Sequence, residues 1–99
     1  MGLGVVDVGE MLSEVKRVAG ADEACAVFTF EIVRPRGDGG APRTLRVEVY
    51  DSGPDAGGQR YAVAAMDAKD HAFDGSFTLG NPASGIREAL NGVHWRRFD

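Results

Sequence analysis

The chain has 99 residues with a formal net charge of −4, a length that holds one core burying about 65% of the unfolded surface and leaves no room for a second domain. Its 43% hydrophobic and 26% charged residues fit a globular chain and exclude a disordered or fibrous one. The negative balance argues against nucleic acid or anionic lipid as a general partner, because that attraction is built from positive surface.

The first predicted element is a helix starting near Val8. Asp7 can cap it, Glu10 completes a capping box, and Val6 with Met11 can form a hydrophobic staple. Met11, Leu12, Val15, Val18 and Ala19 recur at three- and four-residue spacing opposite Glu14, Lys16 and Arg17, and Gly20 supplies the stop. From Ala24 to Arg34 the period becomes two, with Ala26, Phe28, Phe30 and Ile32 on one side and Val27, Thr29, Glu31 and Val33 on the other. The Gly- and Pro-rich run 34–43 reads as a mobile hairpin loop. A second strand alternates Leu45, Val47 and Val49 with Thr44, Arg46, Glu48 and Tyr50, and Asp51 to Gly58 makes a flexible turn. The third strand, Arg60 to Met66, is moderately apolar on both faces and is expected at the centre of a sheet.

A polar stretch from Asp67 to Asp74 precedes a fourth strand, Gly75 to Leu79. Asn81 then caps a second helix opening at Pro82, with Ala83, Ile86, Ala89 and Leu90 as its inner stripe and Asn91-Gly92 as its end. Val93 to Phe98 alternates well enough for a last strand, or serves as a tail across the domain. The expected fold is therefore α+β: a two-layer sandwich in which an antiparallel meander of four to five strands carries an N-terminal and a C-terminal helix on one face, in the order α-β-β-β-β-α-β. In topology alone, helix, three strands and helix is similar to a double-stranded RNA-binding domain. Helix 2 holds one basic residue, Arg87, where that family presents lysines to phosphates, so the order of elements implies no RNA partner.

Cys25, the only cysteine, excludes an intrachain disulfide and any multi-cysteine metal site, and points to a reducing compartment. With no basic leader and no apolar run of about 20 residues, a cytoplasmic chain is expected. The basic residues are nearly all arginine, a usage expected of a GC-rich bacterial source.

Several groups have the residue types for chemistry. Asp67, Asp70, His71 and Asp74 fall within eight positions and can converge on a metal or act as acid and base, but the spacing matches no calcium or zinc loop, and a solvated acidic turn is the simpler reading. His94 beside Trp95 can shuttle a proton or stack a ligand, while a lone tryptophan in so small a domain more often seals the core. Cys25 has the chemistry to pair with His71 or His94, yet between two alanines at a strand start it reads as a small buried filler. Ser84 lacks the preceding glycine of a nucleophile elbow. The glycine runs at 37–40 and 57–58 lead into strands and lack the Lys and Ser/Thr of a phosphate loop. Arg36-Gly37-Asp38 spells an integrin-binding tripeptide by chance.

Arg34, Arg36, Arg43 and Arg46 cluster around the long hairpin. Arginines on a flexible arm can clamp phosphate or carboxylate bidentately, although Glu31, Asp38 and Glu48 are near enough to neutralise them. The second face of the sheet, with Val27, Val33, Tyr50, Ala62, Ala64 and Met66, is apolar enough to need a partner, and Arg46, Glu48 and Tyr50 would be its polar and aromatic contacts. The leading expectation is a non-enzymatic binding module acting through protein contacts, as a homodimer or with another protein, and using neither cofactor nor metal. The alternative is a small-molecule or anion binder with a helix–sheet cleft, drawing on Arg36, Arg43 and His94. An acid–base enzyme built on His71, His94 and the nearby aspartates comes third.

Overall fold

In the computed structural model, which describes residues 7–37, 39–69 and 77–99, the chain forms α1 (Val8–Ala19), β1 (Ala26–Arg34), β2 (Arg43–Asp51), β3 (Tyr61–Asp67), β4 (Phe77–Leu79) and α2 (Ile86–Asn91). 3₁₀ segments follow β2 at Pro54–Gln59 and α2 at Trp95–Phe98. The strands form one open antiparallel sheet in the order β1-β2-β3-β4, each pairing with its neighbour in sequence. The α+β meander with a helix near each end is the architecture that the alternating and helical periods predict.

The register fixes two faces. Phe28, Phe30 and Ile32 stand opposite Val49, Val47 and Leu45, which in turn stand opposite Val63, Ala65 and Asp67. Because side chains alternate at period two, these all point to one face. On that face α2 and the C-terminal 3₁₀ segment pack over β2 and β3, and the core consists of Leu45, Val47, Val49, Val63, Ala65, Ala89, Val93 and Phe98. Phe98 is fully buried. Its carbonyl accepts a bond from Arg43 Nε at 2.9 Å, while Arg43 Nη1 donates to Asp67 Oδ2 at 3.0 Å. Arg34 and Asp99 form an ion pair beside them.

Three expectations are corrected. Val93–Phe98 is not a strand: bonds from Arg97 N to His94 O and from Asp99 N to Arg96 O coil it, and this tight winding brings Phe98 onto the sheet. The second helix does not open at Pro82 under an Asn81 cap. Ala83 instead exchanges two 2.9 Å backbone bonds with Tyr61, which extends the sheet edge and delays the helix to Ile86, with Gly85 as N-cap. Cys25 is exposed and not a buried filler: it stands one residue ahead of β1, a sheet margin whose own residues are largely exposed. The Gly-rich turn after β2 is also more ordered than a flexible loop, forming 3₁₀ turns with a break at Gly57.

The two helices differ in how they are held. Asp7 Oδ1 caps α1 by accepting from Gly9 N at 2.8 Å, and Gly20 ends it in the left-handed conformation at φ 68°, as the sequence predicts. Yet only Leu12 of α1 is buried. The helix leans on the turn after β2, where a Cβ on Gly53 would stand 3.3 Å from Leu12 Cδ1 and one on Gly9 would stand 3.0 Å from Pro54. Laid along the sheet face it would cover β1; held at this turn, it leaves the β1 side of that face open.

Candidate apolar trough

Phe28, Phe30 and Ile32 are 45%, 52% and 37% exposed, although they belong to the same face as the core. The reason is coverage: α2 is a short helix packed on β3, and its cover ends before β1. The result is a trough of about 630 Å³. One wall is β1 with its two phenylalanines and Ile32, the floor is Val47 and Val49, and the far wall is Ile86, Leu90 and Trp95. Trp95 is fixed in this wall by its indole Nε1, which donates to Leu90 O at 2.9 Å. An indole whose only donor is satisfied by backbone presents its ring as plain apolar surface.

Asp51 and Tyr61 close one end. The Asp51 carboxylate is committed: Arg60 reaches it through Nε at 2.8 Å and Nη2 at 3.1 Å, and Gly53 N donates at 2.9 Å. The Arg60 guanidinium, helped by the Gly53 amide, holds the Asp51 carboxyl below the usual carboxylate range against the opposing effect of burial. Arg60 in turn lies over the Tyr61 ring, 4.9 Å from its centroid. At Trp95 the trough meets a more polar hollow lined by Arg34, Val93, His94, Arg96 and Arg97. Arg96 and Arg97 are exposed.

The residues expected to bind are dispersed. Arg34 and Arg43 are cross-strand partners on the trough face, tied to Asp99, Asp67 and the Phe98 carbonyl; Arg36 is half-buried in the hairpin. Arg46, Glu48 and Tyr50 lie on the opposite face with Val27, Ala62, Ala64 and Met66, as the alternation predicts. There the Tyr50 hydroxyl donates to Glu48 Oε1 at 2.8 Å, and Glu48 raises the tyrosine above its ordinary range. His94 is exposed just before the C-terminal turn. Of the acidic group, Asp67 is buried and bound to Arg43 and to Lys69 N; Asp70, His71 and Asp74 lie outside the described residues. Among the described residues no His, Cys, Asp and Glu side chains cluster in a way that could hold a metal ion, and no helix is long and apolar enough to cross a membrane.

The sequence places Phe28, Phe30 and Ile32 on one side of a strand, Ile86 and Leu90 on the inner stripe of the second helix and Trp95 in the core, and marks none of them as lining a trough. The signal that could have found them is area: Phe28, Phe30 and Ile32 on one strand call for more cover than a six-residue helix can give once it also covers β2 and β3. Comparison with protein families, with curated proteins and with solved structures finds no match.

Proposed function

We propose that the chain is a protein-interaction module whose trough receives the apolar face of an amphipathic helix. The observation that carries this reading is the continuous apolar surface from Phe28 through Phe30 and Ile32 to Trp95, left open on the same face as the core. Monomeric globular proteins rarely leave such a surface uncovered. Helix-in-groove recognition needs an apolar channel with aromatic and aliphatic walls and polar groups at its rim, and arginines at one end with the Asp51–Arg60 pair at the other meet that need. A small-molecule site would instead show several free polar groups converging on the ligand to fix its orientation. Here, among the described residues, the only charged one lining the trough is Asp51, already engaged by Arg60. The exposed thiol of Cys25 accords with a reducing compartment for such a module.

The test uses Trp95, the only tryptophan, as reporter. Dilute protein is titrated with a synthetic amphipathic peptide bearing leucines at i, i+3, i+4 and i+7. The expected result is a saturable blue shift of the emission as the indole is desolvated, abolished by Phe30→Glu. Emission unchanged at saturating peptide would overturn the reading.

A further inference from the structure

We infer that the helix fitting this trough is α1 of a second copy of the same chain, docked reciprocally. This rests on the trough being a helix receptor and names its occupant. At 100° per residue, Met11, Val15 and Val18 fall in one narrow stripe, with Leu12 at its margin. Leu12 is spent on the turn at Gly53, while Met11, Val15 and Val18 are 43%, 51% and 71% exposed. A well-capped amphipathic helix thus presents the centre of its apolar stripe to solvent, in a molecule that also presents an uncovered apolar trough.

Length and charge agree. Met11 to Val18 spans about 10 Å at 1.5 Å per residue, and Phe28 to Ile32 about 13 Å at the strand rise, so one stripe fills one trough. Glu10 and Glu14 flank the stripe on one side, and Arg96 and Arg97 lie where the trough meets Trp95. Among the described residues Glu14 is bonded to Arg17 of its own helix, an exposed pair that can exchange partners. Each helix–trough contact is small, and the reciprocal pair of contacts falls at or below the lower edge of specific interfaces. Two-fold symmetry makes both contacts at once, the usual closed arrangement of homodimers. The expected complex is therefore a dimer that dissociates on dilution.

The experiment is sedimentation velocity of the full chain from low micromolar to submillimolar concentration, for wild type, Val18→Glu, Phe30→Glu and an equimolar mixture of the two variants. Wild type is expected to pass from monomer to dimer, and each variant to remain monomeric. The mixture is expected to associate more weakly than wild type, because one intact stripe still meets one intact trough. Val18 is largely exposed, so its variant keeps its fold, checked by circular dichroism. A wild type that is monomeric throughout overturns the inference, and so does a mixture that fails to associate. A Val18→Glu variant that still dimerises also overturns it. The peptide titration separates the two readings: a monomeric wild type whose Trp95 still shifts with peptide removes the self-partner alone, and one whose Trp95 does not shift removes the helix receptor as well.

Discussion

Two phenylalanines on one face of this sheet are expected to respond oppositely to the same truncation. Phe98 is fully buried and Phe30 is 52% exposed. Phe98→Ala removes most of a phenylalanine's apolar area from the core and leaves a cavity bounded by Leu45, Val63 and their neighbours. The expected cost is about 3–5 kcal/mol. Phe30→Ala gives up only the buried half of the ring and opens no cavity, for about 1 kcal/mol. In a domain of this size each kcal/mol lowers Tm by about 4–8 °C, so Phe98→Ala should fall by about 12–40 °C and Phe30→Ala by under about 10 °C. Thermal unfolding of dilute protein, followed by Trp95 emission and far-ultraviolet circular dichroism, measures both. A Phe98→Ala Tm within a few degrees of wild type would refute the placement of the C-terminal turn in the core. Equal losses for the two variants would refute the trough, since they would mean Phe30 is as covered as Phe98.

Asp51→Asn leaves Arg60 without its charged partner and should cost about 2 kcal/mol at neutral pH, tempered by the partial exposure of Arg60. Because the folded-state pKa of Asp51 is lowered, its contribution is present above the ordinary carboxylate range and is lost as pH falls through the lowered folded value. Urea unfolding from neutral to strongly acid pH should show wild type and variant converging on the acid side; a gap that stays constant with pH would refute the pair's role. Gly53→Ala should cost about 1–2 kcal/mol, since φ is 92° there and the new Cβ meets Leu12 Cδ1 at 3.3 Å, with loss of helical circular dichroism as α1 detaches. Gly20→Ala, with positive φ but open space around the Cβ, should cost only about 1 kcal/mol and leave the helix docked.

Local signals were legible wherever local chemistry decides. Asp7 and Gly20 bound α1, and alternation sorted the side chains of β1, β2 and β3 onto their faces, because capping and pleat depend on neighbours in sequence. The misreadings all involve contacts that sequence distance conceals. The alternation of Val93–Phe98 resembled a strand, but Phe98 is drawn to Arg43 and the core, and a 3₁₀ path delivers it there. Asn81-Pro82 resembled a helix start, but Ala83 is claimed by Tyr61. The stripe of α1 promised a helix laid on the sheet; nothing local reveals that Gly53 and Pro54 hold it at the turn. The trough was hidden for the same reason, since a large apolar side chain on a strand reads identically whether a second layer reaches it or stops short.

The order β1-β2-β3-β4 also places the strand that walls the trough at the margin of the sheet. Alternate residues of Ala26–Arg34 there present backbone donors and acceptors with no strand beyond them among the described residues, next to two half-exposed phenylalanines. Such a margin templates further strands, and proteins commonly guard it with charge. Along the middle of β1 the only charged guard is Glu31. With the trough open, that edge runs beside two half-exposed phenylalanines, and edge-to-edge growth at high concentration is the expected liability.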